Sequence, residues 1–418
     1  MKHRSGWRHT GVIGLVLLLL LSMLGCEQNR QGGEKETEGT SESPSQTYSA
    51  GFVPQERTGI REQYLATLQN SFECTDTGVY FMCQDMKGDS FLLYGDHGSD
   101  TLVKLCGRPD CDHRGQDCNA YFSTGGSSVC YYDGYIYVTT ASGGSVELFR
   151  LNLDGSDRVK VMDSSGANPG PGYSGTVDTM AWNGVFSFSL SKIDKEGNEE
   201  LKSYYYLLDG SMEELGERIP GIGGVSDGQQ RIIVSEAQSG EPSQGGLYLW
   251  DPYTNETTYL VDMPQTGIGY WGVETSYYMQ KGVVYQLNYA DGSSQAVFDT
   301  GLKGECRLSC TPDYIVISEH LPTESELAEE PELEATSKVP TLYIYSWDFE
   351  LLEEKVEMPH PVKIRTDDML CGETEDRLIL AAQMFGVPEY YIEKSDIGTG
   401  NVEIHPYQLP DLDLAEED

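Results

Sequence analysis

The predicted architecture follows from the stretch Ser127–Met162, which reads SSVCYYDGYIYVTTASGGSVELFRLNLDGSDRVKVM. The pattern predicts four short strands, at Val129–Tyr132, Tyr135–Thr140, Val146–Leu153 and Arg158–Met162. An Asp133-Gly134 pair separates the first two strands and is a strong hairpin signal, because Gly adopts positive φ without steric cost. A second turn, Asp154-Gly155-Ser156, joins the last two strands. Four antiparallel strands in about 35 residues are typical of one propeller blade.

A similar pattern returns seven times after residue 70. The predicted second strands of the repeats are Gly78–Cys83, Gly134–Thr139, Gly184–Ser189, Arg231–Glu236, Thr275–Gln280, Tyr314–Glu319 and Arg377–Ala382. They start 39 to 63 residues apart, which suits propeller repeats with variable loops, since these usually run about 40–50 residues. No stretch has the pattern of a long amphipathic helix, which argues against a parallel α/β fold. We therefore predict an all-β protein whose residues 50–418 form one β-propeller with seven four-stranded antiparallel blades; six and eight blades are the alternatives.

The first 26 residues are typical of a bacterial export signal. Lys2, Arg4 and Arg8 form a basic start, and Gly11–Gly25 is an apolar run of 15 residues, shorter than the roughly 20 residues of a membrane-spanning helix. The run ends at Cys26 in a sequence that resembles the lipoprotein box, in which a cysteine after a small residue is lipidated. The resemblance implies a lipoprotein on the outer face of the bacterial cytoplasmic membrane. An ordinary signal peptide and an uncleaved anchor are the alternatives.

Residues 27–49 have no apolar periodicity and are rich in Gly, Ser, Thr, Glu and Gln. Such a segment cannot bury enough surface to offset the entropy of ordering, so we predict a disordered polar tether.

The whole chain has 28 Lys and Arg against 67 Asp and Glu, a formal net charge of −39. Because this charge repels phosphate backbones, we expect no nucleic-acid partner.

The segment from Cys106 to Tyr121 contains a C-x4-C-x-H-x4-C pattern, formed by Cys106, Cys111, His113 and Cys118. Three thiols and one imidazole are sufficient for a closed tetrahedral zinc site, so a structural zinc ion is the candidate cofactor. Export favours the alternative of disulfide bonds, since extracytoplasmic cysteines commonly oxidise. Nine cysteines follow Cys26, so they cannot all be paired. Free thiols are the third alternative.

This segment resembles one found in uncharacterised propeller-like lipoproteins of anaerobic gut Firmicutes, where it follows the first blade. The family pattern is Cys…Pro-x-Cys-x-His…Cys-Asn-Ala-Tyr. The matching residues here are Cys106, Pro109, Cys111, His113, Cys118, Asn119, Ala120 and Tyr121. The resemblance covers about 17 residues of the chain, and beyond them only the general repeat pattern is shared. It implies a propeller with a binding role and supplies no reaction and no catalytic residues.

Four further cysteines, Cys74, Cys130, Cys310 and Cys371, occupy similar places in the first strands of the first, second, sixth and seventh repeats. First strands line the axis of a propeller, so these thiols suggest either a metal or redox site near the channel, or small buried residues where blades converge.

Enzyme signatures are missing from the sequence, which has no Gly-x-Ser-x-Gly elbow, phosphate-binding glycine loop or His-Glu-x-x-His motif.

The sequence leaves three functional hypotheses. The first is a surface-anchored binding module that recognises a protein, peptide or glycan with the loops and channel of a rigid propeller, and that has no recognisable catalytic centre. The second is an extracytoplasmic polysaccharide lyase or hydrolase. The third is a metal-handling protein that uses the Cys/His segment, and a structural zinc ion there is also compatible with the first hypothesis.

Overall fold

The computed structural model describes residues 71–412, all of which belong to one compact unit, Phe52–Asp418. Gaps in this description are 123–127, 143–144, 219–221, 227–231, 236–244, 265–268, 303–305, 320–340, 360–369, 382–386 and a few isolated positions. The predicted signal peptide, the tether and Cys26 lie outside the described residues. The described residues form strands and turns with two single 3₁₀ turns, Ser164–Gly166 and Lys394–Asp396, and no α-helix.

Seven antiparallel sheets follow one another along the described chain, each built from strands that are consecutive in sequence. The first contains β1 (Phe72–Cys74), β2 (Gly78–Gln84), β3 (Ser90–Asp96), β4 (Val103–Lys104) and β5 (Tyr121–Phe122). The second contains β6 (Val129–Tyr132), β7 (Tyr135–Ser142), β8 (Ser145–Asn152) and β9 (Val159–Asp163). The third contains β10 (Gly175–Trp182), β11 (Val185–Ile193), β12 (Glu199–Leu207) and β13 (Gly216–Arg218). The fourth contains β14 (Ile222–Ser226), β15 (Ile232–Ser235), β16 (Gly246–Asp251) and β17 (Glu256–Asp262).

The remaining three sheets have the same order of strands. The fifth contains β18 (Tyr270–Trp271), β19 (Thr275–Gln280), β20 (Val283–Asn288) and β21 (Ser294–Asp299). The sixth contains β22 (Cys306–Cys310), β23 (Ile315–Glu319), β24 (Thr341–Tyr345) and β25 (Leu351–Glu357). The seventh contains β26 (Leu370–Glu373), β27 (Arg377–Ala381), β28 (Pro388–Glu393) and β29 (Ile404–Pro406). The sheets are the seven blades of a β-propeller, so the predicted fold class and blade count are confirmed.

The Asp133-Gly134 turn shows why the repeat folds as a hairpin. Both residues have positive φ, 46° and 82°, as a type I′ turn requires, and the twist of this turn matches that of the strands it joins. The paired strands β6 and β7 follow directly on either side of the turn, with Tyr132 opposite Tyr135. The second strand of every blade was predicted to within a few residues of its observed bounds.

The core of the molecule lies between the blades. Each cluster of buried apolar side chains is shared by neighbouring blades, because a single sheet leaves both of its apolar faces exposed. Between the second and third blades, for example, Tyr132 packs with Phe186 and Phe188. Between the seventh and first blades, Ile379 and Tyr391 pack with residues such as Leu93, which closes the ring.

The ring is also closed by polar contacts between the two ends of the described chain. Arg377 of β27 donates hydrogen bonds to the carbonyl oxygens of Ser99 (2.6 Å) and Gly98 (3.1 Å), which follow β3. The backbone N–H of Leu102 donates to the carbonyl oxygen of Gln408 over 3.0 Å, and Gln408 N–H donates to the carbonyl oxygen of Asp100 over 2.7 Å. We call these contacts the closing seam.

Candidate metal centre in the first blade

The Cys/His segment interrupts the outer strand of the first blade. β4 pairs with one half of β3 and β5 pairs with the other half, and the loop 105–120 lies between them. At the junction, Leu92 N–H donates to the carbonyl oxygen of Ala120, and the Leu92 carbonyl accepts from Leu105 N–H, both over 2.9 Å. The sequence interpretation placed this insertion after the first blade. The structure places it inside that blade, because β5 returns to the same edge of β3.

The loop brings all four predicted ligands together. One ligand atom each from Cys106, Cys111, His113 and Cys118 lies within 4.8 Å of the others, and Cys118 is completely buried while the other three are half-buried. The distance between Cys118 Sγ and His113 Nδ1 is 3.7 Å. For zinc bonds of about 2.3 Å to sulfur and about 2.0 Å to nitrogen, tetrahedral geometry requires this separation to be about 3.5 Å. The cluster could therefore hold a metal ion.

The backbone of the loop turns sharply to make this arrangement. His113 has a φ of 55°, a left-handed conformation that His adopts more readily than most residues other than glycine. Its backbone N–H donates to Cys111 Sγ over 3.4 Å. The Cys118 N–H donates to the carbonyl oxygen of Gly115 over 3.0 Å. The turns between the four ligands thus bring their side chains together in one cluster.

The cysteines of the cluster have shifted acidities. Burial raises the pKa of Cys118 to about 12, and the neighbouring Cys111 and Cys106 add to the rise. Burial also acts to raise the pKa of Cys106, but hydrogen bonds from the backbone N–H groups of Arg108 and Asn119, and from the two other thiols, outweigh it and lower that pKa. Cys106 therefore loses its proton more readily than Cys118. A divalent cation would displace the remaining protons, because metal-bound thiols are deprotonated.

The residues after Cys118 hold the loop on both blades. Asn119 donates its side-chain N–H to the carbonyl oxygen of Gly155 in the second blade over 2.8 Å. Ala120 is fully buried, and the hydroxyl of Tyr121 donates to Asp89 Oδ1 over 2.7 Å. The Asn-Ala-Tyr part of the motif therefore has a structural explanation, since it attaches the end of the loop to β3 and to the neighbouring blade.

The sequence analysis missed the contribution of the second blade to this centre. Arg158, 40 residues after Cys118, donates a hydrogen bond to the Cys118 carbonyl oxygen over 2.9 Å. Its partners are backbone carbonyl groups, which every residue carries, so no local motif marks the contact. Predicting this contact would have required knowing that the turn before Arg158 packs against the first blade.

The second set of cysteines has a different environment. Cys130 and Cys310 are buried in the first strands β6 and β22, Cys74 is half-buried in β1, and Cys371 lies on β26. Burial raises the pKa of Cys74 to about 12. Among the described side chains, the only group of three or more metal-ligating residues is the cluster in loop 105–120. The environment of the described first-strand cysteines fits packing where blades converge.

Within the described part of the chain, no helix is both long and apolar enough to span a membrane. No protein-family model matches the sequence, and comparison with curated proteins gives no match.

Solved structures with similar folds are only distantly related in sequence. An acylaminoacyl peptidase from Pyrococcus horikoshii is 12% identical, with a TM-score of 0.47 over 86% of this chain and 54% of that protein. The propeller domain of the trilobed protease from Pyrococcus furiosus is 11% identical (TM-score 0.40; 70% and 83% covered). TolB from Acinetobacter baumannii is 12% identical (TM-score 0.34; 66% and 62%). The chain thus spans about half of that peptidase and under two thirds of TolB. Structural similarity at this level does not indicate the function of this chain. Its own structure shows a seven-bladed propeller in which four side chains of metal-ligating types come together in the first blade.

Proposed function

We propose that this chain is a lipid-anchored, extracytoplasmic propeller that acts as a binding module, and that a structural zinc ion organises its first blade. The single observation that carries the proposal is the convergence of three sulfur atoms and one imidazole nitrogen within 4.8 Å. A set of four protein ligands is typical of structural zinc sites, whereas catalytic sites keep a position open for water or substrate. The metal is therefore assigned a structural role, and binding is assigned to the propeller.

Zinc is preferred over other metals because of the donor atoms. Three thiolates and an imidazole in a tetrahedral arrangement suit zinc, whereas calcium and magnesium need oxygen ligands. The buried Cys118 and the half-buried remaining ligands would place such an ion at the edge of the blade, beneath the loop 105–120. There it would stabilise a loop whose ends continue into two short strands, β4 and β5.

The zinc assignment is tested by metal analysis of the full chain, purified in detergent with a reductant and without chelator. We expect one zinc ion per chain, lost in His113→Asn and retained in His97→Asn. His97 is a suitable control because its ring contacts the carbonyl oxygen of Thr75, at 2.6 Å, away from the cluster. Absence of zinc from the unmodified chain, with cluster cysteines recovered in disulfide-linked peptides, would overturn the assignment.

Lipid attachment is a separate part of the proposal and has its own test. The support comes from the export signal and from Cys26, which lies at the end of the apolar run. In a bacterial host fed a fatty acid that carries an alkyne tag, the unmodified chain should be labelled and should fractionate with membranes. Cys26→Ala should not be labelled, whereas Cys74→Ala should. Equal labelling of the unmodified chain and Cys26→Ala would exclude this site of attachment.

The binding role is supported by the architecture, because the inter-blade cores hold the sheets rigid while the connecting loops are free to vary. We propose a protein, peptide or glycan as ligand. Arrays of purified bacterial and plant polysaccharides and of random peptides, probed with the zinc-loaded chain, test this role. Saturable binding to one class supports it, and cleavage of a polysaccharide during the same incubation would instead favour a lyase or hydrolase.

A further inference from the structure

Arg158 connects the second blade to the candidate metal centre. It precedes β9 and donates hydrogen bonds to two carbonyl oxygens of the loop 105–120 and to one at the start of β5. The distances are 2.6 Å to Gln116, 2.9 Å to Cys118 and 2.6 Å to Tyr121. One of the three acceptors belongs to a ligand, and the other two lie on either side of it. The guanidinium group therefore fixes the backbone at Cys118, the most buried ligand.

Aromatic rings from both blades hold the guanidinium group in place. Its central carbon lies 5.2 Å from the ring centroid of Phe122, on β5, and 5.7 Å from that of Phe149, on β8. The two rings contact each other edge to face, with centroids 5.5 Å apart. A planar guanidinium group that is stacked and multiply hydrogen-bonded loses little further freedom when the metal binds, so it is suited to orienting a ligand.

The turn before Arg158 presses directly on the start of the loop. Gly155 has a φ of 77°, and a Cβ atom placed there would lie 2.7 Å from the carbonyl oxygen of Leu105. Both ends of the loop 105–120 therefore contact the second blade. At the start of the loop, Leu105 contacts Gly155; near its end, Asn119 and Cys118 bond to Gly155 and Arg158. We call this set of contacts the metal-loop seam.

The charge of Arg158 also matches the predicted centre. Three thiolates, one neutral imidazole and one zinc ion carry one negative charge in excess. None of the ion pairs formed between described residues includes Arg158. A half-buried cation beside a thiolate-rich site is favourable when the thiolates are charged.

We infer that Arg158 is a positioning residue for the metal centre, which makes metal binding in the first blade depend on a side chain of the second. The inference rests on the proposed zinc site. Removal of a partner outside the ligand set typically weakens metal affinity about 10–100-fold. We expect a loss in this range when Arg158 is replaced, and we expect the four ligands to stay the same.

The test compares the full chain with Arg158→Met and Arg158→Lys. Zinc affinity is measured by competition with a chromophoric chelator, and cobalt substitution reports the ligand set through its absorption spectrum. We expect Arg158→Met to bind zinc about 10–100-fold more weakly and to keep a tetrahedral, thiolate-rich cobalt spectrum. Arg158→Lys should recover only part of the affinity, because Lys keeps the charge without the planar fork.

Controls separate this role from a general loss of stability. Arg377→Met removes the equivalent arginine of the closing seam, and Arg150→Met removes one that stacks on Tyr135 in the second blade; both should bind zinc like the unmodified chain. Unchanged zinc affinity in Arg158→Met would overturn the inference while leaving the zinc site intact. Equal destabilisation of Arg158→Met with and without zinc would also overturn it. Failure of the unmodified chain to bind zinc would instead overturn the proposed function.

Discussion

The closing seam and the metal-loop seam flank the first blade, and each contains an arginine. The two arginines differ in the negative groups that surround them. In the closing seam, Arg377 pairs with Glu393 at 2.9 Å and is almost completely buried. Its guanidinium carbon lies 3.9 Å from the ring centroid of Tyr391. In the metal-loop seam, Arg158 also stacks on aromatic rings and donates to backbone carbonyls, but none of the ion pairs between described residues includes it.

The two seams therefore depend differently on the loop 105–120. The closing seam contains its own counter-charge, so it should be stable whatever happens in the loop 105–120. In the metal-loop seam, a bound metal would keep the cluster thiols ionised and so add negative charge beside Arg158. Metal binding should therefore strengthen one side of the first blade and leave the other side unchanged.

Removal of a ligand should have the largest effect. Structural zinc sites bind with about 10–16 kcal/mol, so the loss of one of four ligands, as in Cys118→Ser, should weaken zinc binding by on the order of 1000-fold. The matched control is Cys83→Ser, which replaces a buried thiol in the apolar cluster between the seventh and first blades. Isothermal titration with zinc checks both variants. Similar affinities in the two would contradict the assignment of Cys118.

Loss of the arginine in the closing seam should destabilise the protein without affecting the metal. Arg377→Met leaves the Glu393 carboxylate and two carbonyl oxygens without their donor, and breaking a buried ion pair of this kind costs about 3 kcal/mol. Urea unfolding, followed by tryptophan fluorescence, measures the loss, and metal analysis should still give one zinc ion per chain. A variant that loses zinc would show that the closing seam and the metal site are coupled, which would contradict the independence expected here.

Metal removal should loosen one seam selectively. At free zinc about 100 times the dissociation constant, binding contributes about 2.7 kcal/mol of stability, so its loss would lower protection of local amides by about 100-fold. Hydrogen exchange should show this at the amides of Cys118 and Tyr121 when a chelator is added. The amides of Leu102 and Gln408, which bridge the closing seam, should exchange at unchanged rates. Equal changes in both seams would mean that the chelator unfolds the whole ring.

The smallest effect should come from Asn119→Ala. This substitution removes one hydrogen bond, to the carbonyl oxygen of Gly155, and should lower the free energy of unfolding by about 1 kcal/mol. Asn401→Ala, at an exposed position where the side chain donates to the carbonyl oxygen of Thr399 in the same turn, should change it by less than about 0.5 kcal/mol. Equal values for the two variants would show that Asn119 does not hold the loop to the second blade.

Most of the fold was predictable because each blade has its own local signals. The Asp133-Gly134 pair predicted a turn that the structure shows with two positive φ values, and the apolar second strands are buried between blades. The strands β4 and β5 were harder, because two residues are too few to leave a hydrophobic pattern. The return of β5 to the edge of β3 was therefore missed, and with it the position of the loop inside the first blade.

The metal centre was predictable only as far as its ligands. Cys106, Cys111, His113 and Cys118 lie within one short loop, so their spacing in sequence already limits their distance in space. The contribution of Arg158 depends on how two blades face each other, which no local pattern contains. Cys26 lies outside the described residues, so its lipidation stays a prediction of the sequence.

X-ray absorption spectroscopy of the zinc-loaded full chain tests the proposed metal centre most directly. We expect a four-coordinate zinc ion with three sulfur neighbours at about 2.3 Å and one nitrogen neighbour at about 2.0 Å, and a loss of the nitrogen neighbour in His113→Asn. A first shell made of oxygen and nitrogen alone, with no sulfur, would contradict it.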